Sequence, residues 1–453
     1  MSKKKQQIWD GNVRDAALSI LLAVDKNQAY SNLLLHQTIE KYKIDAKDRG
    51  LLTEMTYGTL QHKLTLDYYL EPFIRGKVDL WVRWLLRLSL YQMEYLTRIP
   101  AHAAVNEAVE IAKRRGHKGI ASMVNGILRS VLREGVPSTA AIQNPVERLA
   151  VETSHPQWLV ERWVESYGFE ETAAMLHENN IPPVQTVRVN TTRATVAEVL
   201  ASLEAEGVKA QQSDMMPECI HLTNGTAART MAFKEGLITI QDESSMLPAN
   251  VLAPQPGMKV LDMCAAPGGK TTHIAEKMAN EGSILALDLH PHKLDLIEEN
   301  TARLGLDIVQ TAPVDGRKAA DLLAKESYDA VLVDAPCSGL GVMRRKPDIK
   351  YTKREEDLES LQIIQLAILD NAVQVLKSGG RLVYSTCTVD KRENEGTVEA
   401  FISAHPEMER EEITNLPEKL LAKQNNGMLQ VFPHDFGSDG FFVASFRKKG
   451  ETI

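Results

Sequence analysis

The sequence predicts a multidomain fold, with an all-α N-terminal part, a small α+β middle part and a C-terminal α/β part built on a doubly wound parallel sheet. The chain has 453 residues, which is more than a single domain usually needs. Apolar residues recur at helical spacing almost throughout residues 12–134, whereas strands and helices alternate from about residue 236. We therefore place the domains at residues 1–140, 141–235 and 236–450.

The composition is typical of a globular protein and excludes several classes. Hydrophobic residues make up 43% of the chain and charged residues 25%, which excludes disorder as the main state. The longest apolar run near the N-terminus, residues 16–24, is much shorter than the roughly 20 residues that a bilayer span needs. Residues 3–8 lack the apolar core of a signal peptide. We expect a cytoplasmic protein with no membrane partner.

The cysteines are widely spaced. They stand at positions 219, 264, 337 and 387, so the chain has no Cys-x-x-Cys pair. This spacing argues against a zinc ribbon, an iron–sulfur cluster and a disulfide scaffold, and we expect no metal. In a reducing compartment such single thiols are either core residues or reactive groups.

The net charge of −8 averages two unlike parts. Residues 1–150 hold 22 Lys and Arg against 15 Asp and Glu, a net charge of +7, and the remainder carries −15. A basic first third indicates a module that binds a polyanion, although surface charge also varies between domains by chance.

Apolar stripes predict a helical bundle in the first part of the chain. They run through residues 13–21, 81–91 and 124–132, and a helix at about 103–115 ends in a basic run followed by Gly116. Trp81 and Trp84 fit the core of this bundle, and RNA stacking is the alternative role. After a linker at 135–145, helices at 157–167 and 170–180 and a capping box at 195–198 lead into the middle part. Its strands are predicted at 185–189 and 219–222.

The C-terminal part contains apolar strand candidates whose ends carry polar or small residues. In a doubly wound sheet, ligands bind at the carboxyl ends of the parallel strands. The predicted strands are Lys259–Asp262, Ser283–Asp288, Ile308–Thr311, Ala330–Asp334, Arg381–Ser385 and a late strand at Phe441–Phe446.

The first of these strands runs into a Gly-rich turn at residues 262–271 that opens a helix. A P-loop requires Gly five positions before Gly269, but Cys264 stands there, and the pattern Gly-x-Gly-x-x-Gly is absent. The turn therefore suits a ligand without a phosphate chain, such as an adenosine with an amino-acid tail. Asp288 ends the next strand, where a carboxylate binds ribose hydroxyls, and Asp315 follows the third strand, where it can accept from an adenine amino group.

Two thiols follow neighbouring strand ends, Cys337 after Asp334 and Pro336, and Cys387 after Ser385. Either one alone would be interpreted as a small buried core residue. Together with Asp334 at the crevice they indicate nucleophilic chemistry.

These motifs, in this order and spacing, resemble the RNA cytosine-5 methyltransferases of the NOL1/NOP2/Sun family. The resemblance covers roughly residues 236–448 and includes the motifs at 262–271, 334–339 and 385–388, together with 241–245 and 439–442. Residues 105–113 and 124–128 resemble the antitermination factor NusB, a helical RNA-binding fold. The resemblance implies a Rossmann-like (class I) methyltransferase domain behind a NusB-like domain.

The resemblance also implies a reaction and its residues. Cys387 would attack C6 of cytosine, Cys337 would assist release, and Asp334 would hydrogen-bond N3 of the base. DNA cytosine-5 methyltransferases attack with the Cys of a Pro-Cys pair, which would nominate Cys337 instead. The implied cofactor is S-adenosylmethionine, bound by Cys264, Ala265, Ala266, Pro267, Gly268, Gly269, Lys270, Asp288, Asp315 and Asp334.

The implied substrate is a specific cytosine of 16S rRNA, of the cytosine-967 type, and we expect a monomer. Lys270 could reach RNA phosphate instead of cofactor, and residues 343–346 are a candidate contact to the RNA backbone.

The alternative function is a non-catalytic RNA-binding factor in which the α/β part is structural. The pair of thiols argues against that alternative.

Overall fold

The computed structural model describes residues 11–27 and 30–450. The chain start at residues 3–8, where we expect no signal peptide, lies outside that description. The chain forms two compact units. The helical unit comprises residues up to 180 together with 343–352, and the sheet unit comprises 181–342 and the residues from 353 onward.

Helices occur in both units. Their bounds are α1 (Val13–Asn27), α2 (Ser31–Tyr42), α3 (Ala46–Gln61), α4 (Lys63–Leu70), α5 (Leu80–Tyr95), α6 (Ala101–Arg115), α7 (Lys118–Glu134), α8 (Pro145–Thr153), α9 (Gln157–Tyr167), α10 (Phe169–Glu178), α11 (Val196–Ala205), α12 (Met231–Lys234), α13 (Leu247–Leu252), α14 (Gly269–Lys277), α15 (Pro291–Leu304), α16 (Ala319–Leu322), α17 (Ile349–Thr352), α18 (Glu355–Val375), α19 (Glu395–Ala404), α20 (Glu418–Leu421) and α21 (Pro433–Phe436).

The helical unit buries the apolar stripes that the sequence predicts. Residues of α1, α3, α5, α6 and α7 share one core, because an amphipathic helix is stable only when its apolar face is covered. Trp84 is 1% exposed in that core, which confirms its core role. Trp81 is partly buried and packs against the same core. No described helix is long and apolar enough to cross a membrane.

A short segment from much later in the chain completes the helical unit. Lys350 is fully buried there, and its Nζ donates to Asn180 Oδ1 at 2.7 Å and to the carbonyl of Gln61 at 3.3 Å. The Tyr351 hydroxyl lies 2.9 Å from Ser154 Oγ. Burial lowers the pKa of Lys350. The helical unit is therefore discontinuous in sequence.

The strands belong to the sheet unit. Their bounds are β1 (Gln185–Val189), β2 (Ala210–Gln212), β3 (Cys219–Leu222), β4 (Ile238–Ile240), β5 (Lys259–Asp262), β6 (Ser283–Asp288), β7 (Val309–Pro313), β8 (Tyr328–Asp334), β9 (Leu376–Thr386), β10 (Met408–Arg410), β11 (Gln424–Asn425), β12 (Met428–Val431) and β13 (Phe441–Lys448).

Among the described residues these strands form two sheets. The small antiparallel sheet has the order β2-β3-β1-β4. The large sheet has the order β11-β12-β13-β9-β8-β5-β6-β7, with β10 paired to β13. Strands β5 to β9 are mutually parallel, and β13 is antiparallel to β9. The predicted fold class, a helical N-terminal part, an α+β middle and an α/β C-terminal part, is confirmed. The carboxyl ends of β5, β6, β7, β8 and β9 lie along one edge, where α/β sheets bind ligands.

Candidate active site

A cavity of about 430 Å³ lies at the carboxyl edge of the parallel strands. Its lining residues lie at the ends of β5, β6, β7, β8 and β9 or in the segments that follow these strands. Ile364 and Ile368 of α18 complete the lining. The lining residues are Met263, Cys264, Ala266, Asp288, Leu289, His290, Lys293, Asp315, Gly316, Arg317, Asp334, Ala335, Pro336, Cys337, Ile364, Ile368 and Cys387. The three predicted carboxylates, Asp288, Asp315 and Asp334, and both thiols therefore open into one space.

A smaller cavity of about 220 Å³ adjoins the first and shares Cys264, Ala266 and Asp334 with it. Its other lining residues are Ile240, Gln241, Asp242, Ser245, Asp262, Ala265, Pro267, Gly269 and Lys270. Gly268 lines neither cavity and acts through its backbone. It has φ +98°, and a Cβ on it would lie 3.2 Å from Ile297 Cα, so this turn requires glycine.

Asp262 fixes the start of the Gly-rich turn. Its carboxylate is fully buried, accepts from Thr271 Oγ1 at 2.7 Å and lies 3.4 Å from the backbone N–H of Cys264. Burial raises the pKa of Asp262 to about 7. We did not single out this residue as part of the site, although its position at a strand end could have indicated it.

Arg188 on β1 holds the other end of the turn and was not predicted. All five N–H groups of its buried guanidinium have acceptors. Two form an ion pair with Glu276 at 2.7 and 2.8 Å, one donates to the carbonyl of Gly269 at 2.7 Å and one to Thr272 Oγ1 at 3.0 Å. The remaining hydrogen bond reaches Gln241 Oε1. The small sheet thus anchors the helix that follows the turn.

Asp288 and Asp315 lie where the sequence predicted them, at neighbouring strand ends beside the large cavity. Asp288 accepts from the backbone N–H of His290 at 2.9 Å. Asp315 is already paired, because Arg317 donates to both of its oxygens at 2.6 to 3.1 Å. This hydrogen bonding lowers the pKa of Asp315. Both carboxylates can accept hydrogen bonds from a ligand. The Arg317 guanidinium partly balances the negative charge of Asp315.

Asp334 and Lys270 form an ion pair at the border of the two cavities. Lys270 Nζ donates to Asp334 Oδ2 at 2.6 Å, and Ser385 Oγ donates to Oδ1 at 2.8 Å. Burial alone would lower the pKa of Lys270, but the adjacent Asp334 reverses this and raises it. The Lys270 ammonium also lies 5.3 Å from the ring centre of Phe441. A hydrogen-bond acceptor and a cationic donor therefore stand side by side.

The two thiols are in contact. Cys337 Sγ and Cys387 Sγ are 3.4 Å apart. The hydrogen bond to Cys387, followed by burial, raises the pKa of Cys337 well above its ordinary value. Either sulfur can donate a hydrogen bond to the other, and the thiolate is the nucleophilic form of cysteine. Lys270 adds a positive charge that interacts with Cys387.

The basic run at 343–346 corrects one expectation. Arg344 is buried, and its guanidinium forms an ion pair with Glu178 at 3.1 Å inside the helical unit. Arg344 is therefore not a contact to an RNA backbone, because its donors face a carboxylate rather than solvent. Within this run only Lys346 is exposed.

One mixed cluster lies outside the two cavities. Cys219, His221 and Glu243 place one donor atom each within 4.8 Å of the others. His221 Nε2 and Glu243 Oε2 lie 2.9 Å apart, and Ser213 donates to the same carboxylate. These hydrogen bonds account for the arrangement without a metal ion.

Comparisons with known proteins identify the family and its domains. Residues 249–447 match the family described as 16S rRNA methyltransferase RsmB/F, residues 11–133 match the NusB family, and residues 155–229 match the RsmF/B-like ferredoxin-like domain. A protein of Bacillus subtilis (strain 168) described as probable ribosomal RNA small subunit methyltransferase B is 54% identical, over 97% of this chain and 99% of that protein. The ribosomal RNA small subunit methyltransferase B of Escherichia coli O7:K1 is 36% identical, over 98% and 100%.

Solved structures give the same result. The structure of PH0851 superposes with a TM-score of 0.82 at 28% identity, covering 98% of this chain and all of that one. NSun6 from Pyrococcus horikoshii, solved with SFG, has a TM-score of 0.59 at 27% identity and covers 65% of this chain and 98% of that one.

Proposed function

Because the chain belongs to the RsmB/F family of 16S rRNA methyltransferases, we propose that it methylates C5 of one cytosine in small-subunit rRNA through a covalent bond between Cys387 and C6 of the base. The finer target we propose is a cytosine of the 967 type. The observation that carries this proposal is the contact between two thiols, 3.4 Å apart, in the cavity at the carboxyl edge of the sheet.

The enzyme is an S-adenosylmethionine-dependent methyltransferase, and that cofactor supplies a methyl group on a sulfonium. The large cavity suits it in size and in its carboxylates. We propose that the backbone of residues 264–270 surrounds the amino-acid tail, that Asp288 accepts from the ribose hydroxyls and that Asp315 accepts from the adenine amino group. In the NSun6 structure named above, SFG is an analogue of this cofactor.

The electrostatics favour Cys387 as the nucleophile. C5 of cytosine is itself a poor nucleophile, and addition of a thiolate to C6 makes C5 electron-rich enough to attack the methyl group. Cys337 retains its proton and can donate a hydrogen bond to Cys387, and Lys270 stabilises negative charge there. After transfer, a base must remove the proton from C5 so that the Cys387–C6 bond breaks. We assign that step to Cys337: its proton leaves to solvent, the resulting thiolate takes the proton from C5, and Cys387 departs from C6 as a thiolate.

Asp334 and Lys270 fit the polar edge of cytosine. The resemblance implies that Asp334, protonated or sharing a proton, hydrogen-bonds N3. Because Lys270 donates to Asp334 at 2.6 Å, we propose instead that the Asp334 carboxylate accepts from the exocyclic amino group. The Lys270 ammonium would then donate to N3 or O2 and draw electrons away from C6. This role for Lys270 replaces the contact to RNA phosphate that the sequence left open. The base reaches this border only after leaving its stack.

RNA is the substrate class, and we propose that the helical unit binds it through phosphates. The first 150 residues carry a net charge of +7, and residues 11–133 match the NusB family. Counterion release makes such binding sensitive to salt. We also propose that the enzyme acts in the cytoplasm, as a monomer.

Bisulfite sequencing tests the proposal. The full-length enzyme is incubated with 16S rRNA from cells that lack the gene and with S-adenosylmethionine labelled in its methyl group. One cytosine should become protected from bisulfite, and Cys387→Ala should protect none. A labelled methyl group at another position of cytosine, or on a purine, would contradict the C5 reaction. Protection with Cys387→Ala would contradict the covalent step.

A further inference from the structure

We propose that Glu393 and Asn394 are positioning residues: this dipeptide holds the loops on both sides of Cys337 and Cys387 and thereby sets the distance between the two thiols. Its consequence for catalysis rests on the proposed function, whereas its consequence for the geometry of the thiols does not.

Glu393 holds the Cys337 loop. Its carboxylate is fully buried and accepts from the backbone N–H of Ser338 at 2.9 Å and from the Ser338 hydroxyl. Gln365 Nε2 donates to the same carboxylate at 2.9 Å and to the carbonyl of Pro336 at 3.1 Å. Both neighbours of Cys337 are therefore attached, directly or through one amide, to Glu393.

Asn394 holds the Cys387 loop in the same way. Its Oδ1 accepts from Thr386 Oγ1 at 2.6 Å, and its Nδ2 donates to the carbonyl of Thr388 at 3.1 Å. Nδ2 also donates to Gln430 Oε1 at 2.7 Å. The two residues that flank Cys387 are thus both bound to one buried amide.

The position of Asn394 argues against an ordinary role at the start of a helix. It is the N-cap residue of α19, where asparagine is among the preferred types because its side chain accepts from backbone N–H groups of the first turn. Here it makes no such cap hydrogen bond, and its backbone has φ −97° and ψ −100°. Its side chain is directed to the Cys387 loop instead.

The two loops are also joined to each other. Ser338 Oγ and Thr388 Oγ1 lie 2.8 Å apart, so the hydroxyl held by Glu393 meets the residue held by Asn394. A buried network of this kind is stiff when its members are satisfied. A stiff frame matters here because the hydrogen bond between the two thiols requires contact between their sulfur atoms, and misplacement by about 1 Å can cost about a hundredfold in rate.

Phenylarsine oxide measures the thiol geometry without RNA or cofactor. Two As–S bonds form, the oxygen leaves as water with the two thiol protons, and no electron is transferred to or from sulfur. Arsenic bridges sulfurs at contact distance, so a preorganised pair binds it more tightly. We expect Glu393→Gln and Asn394→Asp to weaken this binding by about tenfold. The first substitution places an amide N–H₂ donor against other donors, and the second places a carboxylate oxygen against oxygen acceptors.

Glu411→Gln is the matched control, since Glu411 accepts from Arg381 and Arg447 and contacts neither thiol loop. It should leave arsenical binding unchanged. Ser338→Ala is a milder variant that removes only the bridging hydroxyl, and it decides the question if the other two do not fold. Cys337→Ala should abolish bridging and defines the baseline.

The catalytic consequence is a fall in kcat at unchanged KM for S-adenosylmethionine in the same variants. Folded variants, including Ser338→Ala, that bind phenylarsine oxide like the wild type would overturn the inference. Weakened arsenical binding in an enzyme that makes no 5-methylcytosine would leave the positioning role standing and contradict the proposed function alone.

Discussion

Cys337 and Cys387 differ in their surroundings although their sulfur atoms are in contact. Lys270 interacts electrostatically with Cys387, whereas the hydrogen bond to Cys387 and burial raise the pKa of Cys337. We expect Cys387→Ala to abolish both methylation and the covalent adduct. Cys337→Ala should still attack and methylate once but fail to eliminate, so that it accumulates as an RNA conjugate on a denaturing gel that ribonuclease removes.

The double variant should give no conjugate, because trapping requires attack. Cys219→Ala is the control, since Cys219 is buried in the small sheet outside both cavities. A conjugate in Cys387→Ala and none in Cys337→Ala would exchange the roles of the two thiols.

Asp288 provides a second prediction at the scale of single residues. Charge-assisted hydrogen bonds to ribose hydroxyls contribute roughly 1.5–3 kcal/mol each, so Asp288→Ala should weaken S-adenosylmethionine binding by at least about tenfold. Calorimetry measures the affinity, and Asp307→Ala, at an exposed carboxylate that lines neither cavity, is the control. Unchanged affinity would remove Asp288 from the cofactor site.

Sequence patterns predicted the site to the extent that it follows the strand ends. The end of each apolar run marks the end of a strand, and this places the residues that follow at the sheet edge. Such residues are Asp288, Asp315, Asp334 and the two thiols. Arg188 and Glu393 are different. Their roles depend on partners 88 and 55 positions away in the sequence, and no local pattern distinguishes them from solvated charges.

Among the elements, the two glycines Gly341 and Gly440 bring three segments together behind Cys387. The Gly341 N–H donates to the carbonyl of Cys387 at 3.0 Å, and the Gly440 N–H donates to the carbonyl of Gly341 at 2.8 Å. A Cβ on Gly341 would lie 2.0 Å from the Gly440 oxygen. The turn before β13 thus supports the Cys387 loop, which explains why a motif so late in the chain accompanies those at the strand ends.

Gly341→Ala should therefore destabilise the protein by about 1–3 kcal/mol, because backbone atoms would have to move to make room. Gly126→Ala in α7 is the matched control: its Cβ would meet nothing within 4 Å, and alanine in a helix should stabilise by roughly 0.5–1 kcal/mol. Denaturant unfolding measures both. Equal stability of the two variants would show that the contact between the glycines is not tight in solution.

The bounds of elements followed the sequence where polar residues stop an apolar run. Strands β5 and β6 have the predicted bounds, since each ends in an aspartate at the crevice. Strand β9 was predicted from Arg381 but begins at Leu376, because pairing with neighbouring strands extends it through two glycines that locally favour a turn. The short strands β2, β4, β10, β11 and β12 escaped prediction, since their two to four residues do not form an apolar run that ends in a polar residue or a turn signal.

For the molecule as a whole, the charge of the helical unit predicts how RNA binding responds to salt. Lys118 and Arg129 on α7 are exposed, and reversing both (Lys118→Glu with Arg129→Glu) should weaken RNA affinity. The slope of log affinity against log salt should become shallower by about one unit per lost phosphate contact. Cofactor binding should not change.

Filter binding at several salt concentrations measures this. Lys325→Glu is the control, because Lys325 is exposed just before β8, at the amino edge of the sheet. An unchanged salt slope in the double variant would exclude α7 as a phosphate-binding face.

The discontinuous helical unit has a consequence for the order in which the protein is made. Its residues up to 180 leave the ribosome first. Gln61 and Asn180 can form their hydrogen bonds with Lys350 only later, after roughly 160 residues of the sheet unit have been translated. At about 5–20 residues per second this interval lasts roughly 10–30 s. During that time the residues up to 180 lack the segment 343–352 of their own unit, so a chaperone or a slowed codon run between positions 180 and 343 would act on an incomplete helical unit.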